Sequence, residues 1–203
     1  MSTLKAEYLR RHTQYLKPVA EKLEIHLREL CASYPRIDRV SSRAKSVDRF
    51  VQKAEKAEGG KPKYSDPLIQ IQDQIGARIV TFYPLDIPAV SDIVTRYFHP
   101  IESVDIVPDA DNEFGYVGKH FILLLPSDVI AGFGDVKDIP SFFELQIKTL
   151  FQHAWSEAEH DLGYKPTNAL LPLQNRKIAF TAAQAWGADQ MFNELFSELN
   201  PSI

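Results

Sequence analysis

The sequence predicts an α+β protein: a mixed sheet of about five strands packed by helices, with helical segments at both ends of the chain. Three observations carry that expectation. Apolar residues recur at helical spacing near both termini, short apolar or alternating runs lie between them, and strand-like and helix-like stretches are interspersed in the middle. The 203 residues suffice for one sizeable core, read here as a single domain over 1–203. Its parts are N-terminal helices over 1–35, a core over 36–165 and a C-terminal helix over 166–203.

Leu16, Val19, Leu23, Ile25, Leu27 and Leu30 hold helical spacing within residues 4–33, and Pro18 suits a helix start better than an interior, so two helices are expected there. Tyr34-Pro35 ends them. IDRVSSR reads as a short strand leading into a helix from near Ser46 to Glu58, with Ser46 as its N-cap. GGKPKYSDP is a loop by its Gly and Pro content. ARIVTFYP is a buried strand, residues 86–98 form a helix, and IESVDIV and YVGKHFILLLP are two more strands separated by the acidic turn PDADNEFG. After a loop around Ala131 to Asp138, FFELQIKT supplies another strand, and helices follow at about 150–162 and 175–199.

With 44% hydrophobic and 25% charged residues, no low-complexity segment and no repeat, the composition is that of a globular protein. MSTLKAEYLRRH lacks the apolar centre of a signal peptide, and no run approaches the roughly 20 apolar residues that cross a bilayer, so a cytoplasmic protein without a membrane partner is expected. The single cysteine, Cys31, lies in a helical pattern and reads as a buried thiol. A net charge of −4 gives no global attraction to polyanions. The basic residues are nevertheless crowded between Arg36 and Lys63, as a solvated face or as a wall for phosphates.

Four constellations carry candidate chemistry. Arg43, Lys45, Arg49 and Lys53 run from a strand end into the first turns of a helix, where free backbone N–H groups favour a triphosphate; a solvated basic helix has the same pattern. In IQDQIGARIV, Asp73 stands before a strand and suits either Mg²⁺ or a helix end, while Arg78 within the strand needs a carboxylate, phosphate or aromatic partner. In FGYVGKHF, alternation sends Tyr116, Gly118 and His120 to one face, as a base-stacking platform or as a core tyrosine with a satisfied histidine. Glu144 and Gln146 share a strand face, with Lys148 beyond, and His153, Glu157 and His160 form a helical stripe. That stripe invites zinc and His160-Asp161 a metal-dependent phosphohydrolase, although the HExxH pattern and a second His-Asp set are missing.

Taken in order, these pieces resemble the synthetase domain of the RelA/SpoT family, the alarmone synthetases, from about Arg39 to Lys165. Arg43-Ala44-Lys45 with Lys53 resembles its arginine-x-lysine nucleotide motif, DQIGARIV its Asp-x-x-Gly-x-Arg strand and GYVGKH its Gly-Tyr-Arg-Ser-x-His element. ELQIKT and HAWSEAEHDLGYK are similar to its Glu-x-Gln-Ile-Arg-Thr and Trp-x-x-x-Glu-His-x-x-x-Tyr-Lys signatures. The resemblance implies a nucleotidyltransferase-like fold. It also implies transfer of the β,γ-pyrophosphate of ATP to the 3′-hydroxyl of GDP or GTP, with Mg²⁺ and release of AMP.

By motif position, Asp73 and Glu144 would hold Mg²⁺, and Glu144 would also take the hydroxyl proton. Arg43 and Arg78 would flank adenine, and Lys45 and Lys53 would grip the ATP phosphates. Tyr116 would stack on the acceptor base, with His120, Gln146 and His153 nearby. Two departures affect the acceptor side: Val117-Gly118 replaces the family's Arg-Ser, and Asp109, Asp111 and Glu113 precede it, leaving Lys119 to substitute for the missing charge. Divergent members modify the 3′ end of transfer RNA or use adenine nucleotides, sometimes as toxins with an antitoxin, and small members include homotetramers. Transfer RNA, an antitoxin and a homo-oligomer are therefore partners the resemblance implies, and a silent nucleotide-binding domain is the alternative from another class.

Overall fold

The computed structural model describes residues 3–110, 113–134, 136–164 and 170–201. The chain begins with α1 (Thr3–Arg11), a five-residue π-helical turn (His12–Leu16) and α2 (Lys17–Leu30). Where two separate helices are expected, these three segments run on without a break. Leu16 at their junction keeps helical dihedrals, and the Lys17 N–H reaches His12. Pro18 sits in the first turn of α2, as its missing N–H requires, and the wider π turn absorbs the disturbance.

β1 (Ile37–Ala44) then leads into α3 (Val47–Ala54). Ser46 occupies the N-cap position with extended dihedrals, yet its side chain makes no capping hydrogen bond. This helix stops short of the expected Glu58 because Ala57–Glu58 (β2) pairs with Lys61–Pro62 (β3) across Gly59-Gly60. Both glycines have positive φ, the conformation a tight hairpin turn needs. The expected loop is thus partly a hairpin, followed by the short α4 (Pro67–Gln70), whose N-cap Asp66 accepts from the Leu68 N–H.

β4 (Ile75–Thr81), α5 (Asp86–Tyr97), β5 (Pro100–Ile106), β6 (Gly118–Leu124), α6 (Ser127–Ile130), β7 (Phe142–Thr149), α7 (Leu150–Tyr164) and α8 (Pro172–Leu199) complete the chain. Five strands form one mixed sheet in the order β1-β4-β7-β6-β5. Only the β4–β7 pair is parallel. The expected α+β class and five-stranded sheet are therefore present.

Strand alternation divides the sheet into two faces. Ile75, Ala77 and Ile79 of β4, Leu145 and Ile147 of β7, and Phe121 and Leu123 of β6 form the buried face. This face shares one core with Val19, Leu23 and Leu27 of α2 and Val90 and Val94 of α5. Asp86, fully buried at the start of α5, accepts from Tyr34, Arg36 and the Tyr83 N–H, tying that helix to the entry of β1. Cys31 is buried and unpaired. Among the described residues no helix is long and apolar enough to cross a membrane.

Candidate active site

The other face of the sheet is polar, and register determines which side chains meet there. Arg43 lies opposite Gly76, and Ser41 opposite Arg78. Gly76 aligns with Glu144 and Arg78 with Gln146, and Gln146 in turn faces His120. Side chains directly opposite on paired strands point the same way. Three distant motifs are thereby placed side by side, along one wall of a cleft of about 540 Å³. The cleft is lined by Arg43, Lys45, Arg49, Asp73, Arg78, Glu144, Gln146 and His160 among others.

At one end Asp73, in the tight turn Gln72–Gln74 before β4, receives two cations. Lys45 Nζ lies 2.7 Å from Asp73 Oδ2, and Lys53 Nζ, one helix farther on, lies 3.0 Å from Oδ1. Burial acts to raise the Asp73 carboxyl, but the two ammonium groups outweigh it and hold it below the ordinary range. Arg43 is shifted down by burial and by the charges of Arg78 and Arg49, so the cations here are crowded.

At the other end a chain of hydrogen bonds crosses two strands. The Tyr116 hydroxyl is 2.8 Å from His120 Nε2, and His120 Nδ1 is 3.1 Å from Glu144 Oε1. The carboxylate accepts, so the His120 Nδ1–H donates to it. Gln146 Nε2 donates to the second Glu144 oxygen at 3.1 Å. Burial acts to raise Glu144 and the nearby charge of Asp73 adds to it, but the His120 and Gln146 contacts prevail and keep it ionised below its ordinary value.

Tyr116 lies across the backbone of Gly118. A Cβ there would stand 2.7 Å from the tyrosine hydroxyl, so the ring occupies space that any larger residue would claim. The glycine that departs from the family motif thus fits the ring's placement.

Between the two ends stands Arg78, bonded to Gln146 at 3.3 Å and paired with Glu157 of α7. His153 is placed on the same side, with its Nδ1 buried and unpartnered. Burial and the Arg78 charge lower its pKa.

The structure brings Arg43, Lys45, Lys53, Asp73, Arg78, Tyr116, His120, Glu144, Gln146 and His153 to this one face. Lys119 is the exception and corrects the expectation placed on it. It points to the opposite face, paired across the strands with Ile147, and its ammonium bonds Asp105 at 2.7 Å. The acidic segment therefore gains no compensating cation from it. Asp111 and Lys165 of the expected motifs lie outside the described residues.

Lys148 is a residue the sequence analysis left out of the site. It is 2% exposed on the same face as Glu144 and Gln146, 3.3 Å from the Ser156 hydroxyl and 4.5 Å above the Tyr116 ring. The signal was available, since alternation from Glu144 reaches it in two steps. Glu157, read only as part of a stripe, proves to be the partner Arg78 needs. Among the described residues no three His, Cys, Asp or Glu side chains converge as a metal cluster, so the zinc reading of that stripe finds no ligand set.

Comparison with known proteins bears on the fold and the family. A family model described as the region found in RelA/SpoT proteins matches residues 42–169. The GTP pyrophosphokinase YjbM of Bacillus subtilis (strain 168) is 27% identical over 172 residues, covering 82% of this chain and 74% of that protein. A GTP pyrophosphokinase family protein from Streptococcus pneumoniae superposes with a TM-score of 0.76 at 23% identity, over 100% of this chain and 97% of that one. The small alarmone synthetase 1 from Bacillus subtilis, solved with its product pppGpp, does so with a TM-score of 0.71 at 22% identity, over 96% and 97%.

Proposed function

The chain belongs to the RelA/SpoT family, and from that premise we propose that it is an ATP-dependent pyrophosphokinase making (p)ppGpp-type products from GDP or GTP. The observation that carries this is a single cleft lined by a cation-bound carboxylate, Asp73, and by Glu144, which is hydrogen-bonded to His120 and through it to Tyr116. Its curated relative is named a GTP pyrophosphokinase, and one structural neighbour was solved with pppGpp.

In this reading the 3′-oxygen of the acceptor forms a bond to the β-phosphorus of ATP as the bond from that phosphorus to the α-phosphate oxygen breaks. AMP leaves, and the hydroxyl proton passes to Glu144. Arg43 and Arg78 flank adenine, and Lys45 and Lys53 lie against the phosphates. Tyr116 offers its ring to the acceptor base. Phosphoryl transfer passes through a loose transition state that asks for alignment and charge neutralisation more than for a strong base. A Glu144 held ionised by His120 and Gln146 suits that demand, orienting the hydroxyl and receiving its proton late.

Asp73 and Glu144 also fit Mg²⁺. Both are oxygen donors on one cleft, close enough for the Asp73 charge to act on Glu144, and Mg²⁺ commonly uses one or two carboxylates with phosphate and water. Bound there, the ion would neutralise phosphate charge.

One observation favours a second acceptor. Lys119 is the sole lysine or arginine between Val107 and His120, and it turns away from the site while Asp109 and Glu113 remain in that segment. An acceptor that needs no cation at this lip, such as the 3′ end of transfer RNA, is compatible with it. The test is AMP release from ATP and Mg²⁺ with GDP, GTP, ATP or transfer RNA each offered alone. AMP with GDP or GTP is expected; AMP only with another acceptor replaces the acceptor assignment, and ATP binding without AMP in any arm rejects the enzyme.

A further inference from the structure

A second cavity, of about 510 Å³, lies behind the segment that carries Tyr116, and the reaction above does not use it. Ile87 of α5, Val107 and Phe114 of the β5–β6 connection and Trp186 of α8 make its apolar wall. Its polar lining comprises Thr149, Gln152, Asp189 and Gln190, with Glu113 on the β5–β6 connection. Gln152 and Asp189 are each 3% exposed. The Thr149 hydroxyl donates to Asp189 Oδ2 at 2.7 Å and accepts from the Gln152 N–H at 3.1 Å, so it is fully engaged. Asp189 Oδ1 and Gln152 Oε1 remain buried without hydrogen-bond partners among the described residues.

Both unmatched atoms are oxygens, a carboxylate and an amide carbonyl, which an N–H donor would match. Among the described residues no lysine or arginine lines the cavity, and an ionised Asp189 has no counter-charge from them within it. Burial pushes this carboxyl up to about 6, partly offset by its Thr149 and Gln152 hydrogen bonds, and an N–H donor seated against it would favour the ionised form. Apolar walls, two unmatched buried oxygens and a carboxylate without a cation beside it together define the complement.

We propose that this cavity binds a compact amine or amidine whose N–H groups meet Asp189 and Gln152 and whose hydrocarbon or aromatic body packs against Trp186 and Phe114. Gly115 and Val117 line the cavity, whereas Tyr116 between them reaches the other way to His120. An occupant therefore braces the segment that presents Tyr116 and changes acceptor use, a coupling that rests on the pyrophosphokinase reading.

The experiment is calorimetric titration of the full chain with benzamidine, with benzyl alcohol as a neutral counterpart. Asp189→Asn removes the charge while keeping an acceptor for Thr149. Val107→Trp fills the cavity from a position that is 61% exposed, where the fold tolerates it. Benzamidine is expected to bind the wild type in preference to benzyl alcohol, and to lose at least about tenfold in affinity in each variant. No binding at millimolar concentration, or equal affinity for wild type and both variants, overturns the site. Added to the AMP assay, benzamidine should change the acceptor KM and leave the ATP KM unchanged. Site-dependent binding without that change overturns the coupling to the acceptor. Because the titration needs no turnover, an inactive protein that still binds benzamidine rejects the proposed function and not this site.

Discussion

Lys148 and Asp189 both lie where their charges are poorly solvated, and each makes stability depend on pH in a direction that can be worked out. Burial, reinforced by the Arg78 charge, lowers Lys148 from 10.5 to about 8. Between those values the unfolded chain holds more protons than the folded one, so stability rises as pH goes from about 8 to 10.5. Denaturant titrations across that range should show the rise in wild type and a flatter curve in Lys148→Met; the same slope in both would disprove the assignment. Asp189 has the opposite sign. Burial raises it from 3.8 to about 6, so its contribution is fully present below 3.8 and lost as pH climbs through 6. Asp189→Asn is accordingly expected to stabilise the protein at neutral pH by on the order of 2 kcal/mol, read as a higher denaturation midpoint. In the active site, Asp73→Asn and Glu144→Gln should each lower AMP production by about a hundredfold or more with melting temperatures preserved. Tyr116→Ala should instead raise the acceptor KM and leave the ATP KM near wild type.

The first helix supports the donor side from behind. Tyr8 of α1 stacks on Phe50 of α3 with ring centroids 3.6 Å apart, and its hydroxyl donates to the Lys45 carbonyl at 2.9 Å. Both rings are fully buried. The segment that carries Lys45 and Lys53 is thus braced by a helix whose residues contribute nothing to the cleft lining. Phe50→Ala is expected to cost about 3–5 kcal/mol and to weaken ATP binding with little change in acceptor affinity. Matched losses for both substrates would show that the brace is not local to the donor side. The main helices and strands were legible because their periods are strong, as in FFELQIKT. Element ends were less so: the halt of α3 depends on a hairpin formed by residues beyond it, and the join at Pro18 depends on a π turn that leaves no periodic trace.

For the molecule as a whole, a net charge of −4 coexists with a cleft where Arg43, Lys45, Arg49 and Arg78 converge. Attraction of ATP is therefore local and open to screening, and raising ionic strength from about 0.05 to about 0.5 M should raise the ATP KM several-fold. An unchanged KM would mean that the cations act only at contact. The active site was legible to the extent that its residues sit in short motifs: Asp73, Arg78, Glu144 and Gln146 are marked by their neighbours in sequence. Lys119 was misplaced because its charge was weighed without its strand face, although the alternation that aligns Tyr116, Gly118 and His120 sends it the other way. The cavity at Asp189 left no such mark, since it joins α5, α7, α8 and the β5–β6 connection only through packing. The parallel pairing of β4 with β7 also governs when the cleft is completed. Arg78 and Gln146 are 68 residues apart, so at about 5–20 residues per second the ribosome delivers β7 several seconds after the strand it must join. A nascent chain interrupted before Phe142 has the lysines that hold Asp73 but neither Glu144 nor Gln146, so on the proposed reading it owns the donor side of the cleft without the acceptor side.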